Sequence, residues 1–197
     1  MPTFNSQQLL TDLLQQTENV LNTVITQWQK LPQQTLLYKQ NTTAWSAVQC
    51  LMHLNSYGNY YLPQLKKSIE EAKEKRRFSQ VSFSTSYIGN WFTELMLPKG
   101  EGNTIKKMKS PKNHEPVLNE SGDAVISDFI NQQKIMWQIL EEARNIDLRK
   151  AKTPVSISRF IRLPLGDTFR FLVAHTYRHL LQAERALTAA EKEVANV

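Results

Sequence analysis

The sequence predicts an all-α protein, a four-helix bundle with a long crossover between its second and third helices. Three observations lead there. Only six glycines occur in 197 residues, which leaves little material for the tight turns of a β-sandwich or barrel. Four stretches repeat apolar residues at three- and four-residue intervals, each opened by a capping residue. Residues 78–118, between the second and third stretches, carry no sustained period, and four amphipathic helices with one long connection describe a bundle.

The first helix is announced by Asn5 with Gln8 three residues later, a capping-box pattern that Phe4 and Leu9 would flank as a hydrophobic staple. Its stripe runs Leu9, Leu10, Leu13, Leu14, Val20, Leu21, Val24, Ile25 and Trp28, and Pro32 stops it. Ser46 and Gln49 repeat the cap for the second helix, whose stripe from Leu51 to Ala72 crosses Pro63 and ends in the charged run Glu70 to Arg77. Inside the aperiodic stretch, Tyr87, Ile88, Trp91, Phe92, Leu95 and Met96 fit a short amphipathic helix that needs burial, and Lys99 to Pro116 reads as a basic excursion. Gly100-Glu101-Gly102 is no nucleotide loop, since no strand precedes it and no third glycine follows. The third helix opens at Ser121 or Asp123 and runs to Asn145; the fourth takes Asp167 as N-cap, with Phe169, Leu172, Val173, Leu180, Ala183 and Leu187 on its apolar face.

Length and composition bound the function. The 197 residues suit one domain, 1–197, and 41% hydrophobic with 21% charged residues exclude a disordered or collagen-like chain. No apolar run approaches the ~20 residues that span a membrane, and the start lacks a signal-peptide pattern, so a cytoplasmic protein is expected. Cys50 stands alone, which excludes an internal disulfide and a CxxC zinc knuckle. The net charge of +6 attracts anions, but the basic residues fall in scattered short clusters without a nucleic-acid signature, which disfavours a nucleic-acid partner.

Two of the four histidines, His175 and His179, stand at i and i+4, which puts both imidazoles on one helix face, close enough to share a cation. A zincin protease is disfavoured, because its general-base glutamate would directly follow the first histidine and Thr176 is there instead. His53, on the flank of the second helix with Cys50, Tyr57 and Tyr60, is the best third ligand, and three neutral imidazoles would leave positions open for water or substrate. Spacing alone leaves a second reading open, in which all three are hydrogen-bonded histidines at the core edge. Cys50 reads either as a soft fourth ligand or redox-sensitive thiol, or as a buried inert residue, the commoner case. His114, among Lys112, Asn113 and Glu115, is expected to be exposed. Trp45, Tyr57, Tyr60, Tyr61, Trp91 and Phe92 are candidates to line a pocket, two or three of them touching a ligand. Such a metal should be lost below about pH 6, near the unperturbed histidine pKa of ~6.5.

Trp45-Ser46 opening the second helix, His53-Leu54 shortly after, and the segment His175-Thr176-Tyr177-Arg178-His179-Leu180-Leu181-Gln182-Ala183 together resemble the DinB-like family, which includes YfiT-type metal-dependent hydrolases and bacillithiol S-transferases. Thr153-Pro154, Leu165-Gly166-Asp167 and the long excursion resemble it too, so the likeness covers nearly the whole chain. It implies a DinB-like four-helix bundle whose metal triad is His53, His175 and His179, holding a divalent transition metal such as zinc, nickel or iron. It further implies a metal-dependent enzyme of thiol S-transferase or hydrolase type, activating water or a low-molecular-weight thiol against a small-molecule substrate. Arg178 and the Lys106 to Lys112 cluster would attract an anionic thiol or substrate, although a salt bridge to a neighbouring helix competes as the role of Arg178. Met52, Asn55 and Ser56 stand where some thiol-transferase members carry an acidic residue or a second histidine, which leaves the general base unassigned. The alternatives are a non-catalytic metal-binding or interaction bundle and, less favoured, a basic nucleic-acid-associated protein; a homodimer fits either reading.

Overall fold

In the computed structural model, which describes residues 1–98, 108–117 and 121–195, four helices begin at a capping side chain, that of Asn5, Ser46, Ser86 or Ser121. The Asn5 side chain accepts from the amides of Gln7 and Gln8 and opens α1 (Ser6–Thr23). Gln8 turns away to Asp12, so the reciprocal arm of the capping box is missing there. Past Thr23 the helix widens into a π-turn over Val24–Trp28, which carries the stripe to the buried Trp28. A short α2 (Gln33–Leu37) follows Pro32. At Ser46 both arms of the capping box are made, and α3 (Ala47–Glu74) runs unbroken through Pro63. Ser121 caps α5 (Gly122–Glu142), which tightens into a 3₁₀ turn over Ala143–Asn145.

The long helices α1, α3 and α5 pack with α6 (Leu165–Ala195) as the expected four-helix bundle. Two apolar clusters fill it. One gathers Leu10, Leu65, Ile69, Ile139, Phe169 and Leu172; the other gathers Val24, Trp28, Leu51, Phe129, Leu180 and Leu187. Along α6 the first cluster ends at Ala174 and the second resumes at Leu180, so the interval 175–179 lies between them. No helix among the described residues is long and apolar enough to cross a membrane.

Two small antiparallel ribbons, absent from the sequence reading, tie the connections down. β1 (Thr3–Asn5) pairs with β2 (Ser82–Ser84) through Phe4↔Phe83, and β3 (Lys152–Val155) pairs with β4 (Ser158–Pro164) through Thr153↔Leu163. The second ribbon corrects the start of the last helix. β4 feeds straight into α6 at Leu165, so Asp167 sits within the first turn and is not its N-cap. Its buried carboxylate instead accepts from the backbone N–H and hydroxyl of Ser86, the N-cap of α4 (Tyr87–Met96). This bond holds α4 against α6, as the excursion's amphipathic pattern requires. Met96 is buried and Phe92 and Leu95 are half-buried, but Trp91 is 52% exposed, contrary to the burial expected of it. The stretch Gly100-Glu101-Gly102 and the lysines Lys106 and Lys107 lie outside the described residues.

The α4–α6 contact depends on the absence of a side chain at Gly89, where a Cβ would run into Cβ, Cγ and Oδ2 of Asp167. A buried, hydrogen-bonded carboxylate cannot swing away cheaply. Gly89→Ala should therefore cost about 1–3 kcal/mol through overpacking, read from the urea midpoint. Gly58→Ala should destabilise as well, because its Cβ would run into the buried Gln132 carboxamide, whose Nε2 donates to Asn59 and Asp128.

Candidate metal centre

α3 and α6 pack along the bundle, and the gap between the two apolar clusters is where their histidines meet. His53 lies two turns into α3, and the i,i+4 pair His175 and His179 projects from the middle of α6. All three are buried, and their ligand nitrogens lie within 4.8 Å of one another. His53 Nε2 stands 3.2 Å from His175 Nε2. The three residues singled out from the sequence are thus brought together.

The outer nitrogens decide which way the inner ones point. His53 Nδ1–H donates to the His114 carbonyl at 2.7 Å, and His179 Nδ1–H donates to Gln182 Oε1 at 3.1 Å, one turn further along its own helix. Each bond leaves a lone pair on Nε2 aimed inward, the tautomer a metal ligand needs. Aromatic rings fix the imidazole planes: Trp45 stacks on His179 at 5.8 Å, Phe171 on His175 at 5.7 Å, and Tyr57 tilts against His53 and His175.

Burial also keeps the imidazoles neutral. Desolvation pushes His53 down from 6.5 to about 4, with a nearby backbone hydrogen bond opposing it, and His179 down to about 3. His175 is lowered well below its ordinary value, again by desolvation first and then by the neighbouring histidines and Arg178. These values move the expected acid loss of metal well below pH 6. Three neutral nitrogens this close, two of them on rings bonded at their outer side, could hold a divalent transition metal such as zinc, nickel or iron, whose imidazole bonds of about 2.0–2.1 Å for zinc would separate the ligands by a little over 3 Å.

His114 departs from the sequence reading, and Cys50 follows the commoner of its two readings, a buried inert residue. His114 is buried, not exposed, and its ring Nδ1 lies 2.6 Å from Ser56 Oγ. Cys50 lies in the apolar cluster with Val24 and Leu51, and burial pushes its thiol up, so neither the fourth-ligand nor the redox role finds a thiolate there. Asn55 donates to the Val125 carbonyl and Ser56 pairs with His114, so both are committed to structure.

The site opens into a cleft of about 840 Å³ lined by all three histidines, Trp45, Tyr57 and Gln182. Lys109, Arg178 and Arg185 bring positive charge to its wall, and Glu115 is its sole carboxylate among the described residues. Of the other candidate lining aromatics, Tyr60 and Tyr61 bond to the β3–β4 ribbon at Val155 and Ser156, and Trp91 and Phe92 stay on α4. The part played by His114 had no sequence signal, since it comes from an aperiodic loop.

Fold and site together define a helical bundle with a buried three-histidine cluster at the floor of a basic cleft. The model of the DinB superfamily matches residues 13–183, and the chain belongs to that superfamily. No curated protein and no solved structure matches it.

Proposed function

We propose that this protein is a divalent-metal-dependent enzyme, with His53, His175 and His179 as the metal ligands, catalysing a thiol S-transferase or hydrolase type of reaction on a small molecule. The observation that carries the reading is the convergence of three buried imidazoles, with ligand nitrogens within 4.8 Å of one another and with His53 and His179 bonded outward through Nδ1–H so that each Nε2 faces its neighbours. Three such nitrogens supply a cation's ligand set. A divalent metal in such a site supplies a lowered pKa for nearby water or thiol, giving a nucleophile at neutral pH.

The chain's own groups supply the rest. Trp45, Tyr57 and Phe171 wall the histidines and exclude water on that side. The cleft volume falls in the range of small-molecule sites, about 300–1,000 Å³. Lys109, Arg178 and Arg185 favour an anionic thiol or substrate, and Glu115 is the residue available to take a proton. The test is turnover by metal-reconstituted protein across small thiols with electrophilic acceptors, esters and amides, against His179→Ala. Metal-dependent turnover lost in the variant is the expected result. Metal binding without turnover on any of these substrates would replace this reading with a non-catalytic metal-binding bundle.

A further inference from the structure

The three ligand candidates are not held alike. His179 donates its outer hydrogen bond to Gln182 Oε1 on the same helix, so folding of α6 is enough to set it. For His53 the acceptor is a main-chain carbonyl 61 residues away, in the crossover between α3 and α5. Something must hold that carbonyl beneath the ring.

The residue that owns the carbonyl also anchors it. Lys112–His114 forms a single 3₁₀ turn, closed by the His114 amide donating to the Pro111 carbonyl at 2.9 Å. From this turn the His114 side chain reaches back to α3, with Nδ1 2.6 Å from Ser56 Oγ and its ring 4.0 Å from that of Tyr57. Ser56 is three residues beyond His53, so both bonds from His114 land on one face of α3. Ser110 Oγ closes the same edge, 3.4 Å from His53 Nδ1. The His114 Nε2 atom is buried without a hydrogen-bond partner. A side chain held in place despite that desolvation cost, with exposed neighbours at Lys112, Asn113 and Glu115, is pinned inward by a specific requirement.

We propose that His114, clasped by Ser56, is a positioning residue that fixes the Nδ1–H tautomer and ring orientation of His53, and so couples docking of the crossover to competence of the metal site. The proposal rests on the metal reading above for its consequence, but the tautomer it fixes exists in the metal-free protein. The clasp also seats a cleft wall, because Lys109, Ser110, Pro111, Glu115 and Pro116 line the cleft from the same segment.

The test compares wild type with Ser56→Ala, Ser56→Thr and His114→Ala by two measurements. In metal-free protein, nitrogen-15 NMR of the imidazoles should show His53 protonated at Nδ1 in wild type and Ser56→Thr, and a tautomer mixture in Ser56→Ala and His114→Ala. In the second, titration with cobalt(II) or zinc should show affinity about 10–100-fold weaker in the alanine variants, the usual cost of losing an outer partner of a metal-bound histidine, with recovery in Ser56→Thr. Ser56→Ala removes only a hydroxyl and should lower the melting temperature by no more than several degrees while the transition stays cooperative, so its metal affinity is read on folded protein, which guards against misfolding in His114→Ala. If His53 keeps its tautomer and Ser56→Ala binds metal within twofold of wild type, the clasp is merely structural and the proposal is wrong. If the tautomer responds as expected while wild type binds no metal, the positioning role stands and the metal reading fails.

Discussion

Replacing His179 by alanine is expected to abolish tight binding of a divalent metal while the bundle still folds. The loss should exceed the roughly 10–100-fold cost of removing an outer hydrogen-bond partner, because a ligand itself is gone. The fold should survive because the side chain lies between the two apolar clusters and contributes to neither. What it does contact is Trp45, His53 and His175, with ring centroids 4.5–5.8 Å away. Its removal leaves a small void and gives up the bond to Gln182, while the neutral imidazole carries no titration penalty above about pH 6.5, so the change in unfolding free energy of metal-free protein should stay within about 2 kcal/mol. Zinc titration with a competing chelator, beside urea unfolding of the metal-free forms, separates the two quantities. Unchanged affinity would mean that the cluster is not the binding site. Collapse of the fold would mean that His179 is part of the core.

The main helices were legible because their signals are local. Asn5, Ser46 and Ser121 cap the helices expected of them, and the α4 pattern ends where expected before Pro98. The i,i+4 pair was legible for the same reason, since α-helical geometry alone places His175 beside His179. What failed depended on partners distant in the chain. Asp167 follows a glycine and precedes an amphipathic stripe, the pattern of an N-cap, yet its carboxylate serves Ser86, 81 residues earlier. The strands are short, and one contains Pro154 while another ends at Pro164, so no alternation announced them. His114 was misread from its neighbours: Lys112, Asn113 and Glu115 are indeed exposed, and a single 3₁₀ turn directs the histidine alone inward. Trp91 erred the other way, because α4 packs on the bundle through Phe92, Leu95 and Met96 and leaves the tryptophan half out.

Acid should destabilise the metal-free protein steeply, beginning near pH 6.5. Above that value His53, His175 and His179 are neutral in both folded and unfolded chains, and their titration contributes nothing. Below it the unfolded chain takes up protons that the folded one refuses until about pH 4 at His53 and about pH 3 at His179. The unfolded state then binds more protons, so stability falls as pH falls through that window. Each depressed histidine adds about 1.4 kcal/mol per pH unit, and the full shifts amount to about 3 kcal/mol for His53 and about 5 kcal/mol for His179. His175 is shifted in the same direction. From about pH 6.5 to 5 each of the three gives up at most about 2 kcal/mol, together a large part of the stability of a typical domain, about 5–15 kcal/mol, so the stability of metal-free protein should fall steeply across that window. Metal at a hundred times its dissociation constant adds about 2.7 kcal/mol and should move the acid midpoint lower. Because the folded imidazoles stay neutral to about pH 4, affinity for the folded protein should hold nearly level from pH 7 to 5 instead of dropping below pH 6. Urea midpoints of metal-free protein from pH 7.5 to 4.5 provide the check, and His179→Ala should lessen the slope by one histidine's share. A midpoint that does not move down to pH 5 would mean that the three imidazoles take up protons in the folded state as readily as in the unfolded chain, and that the site is open to water.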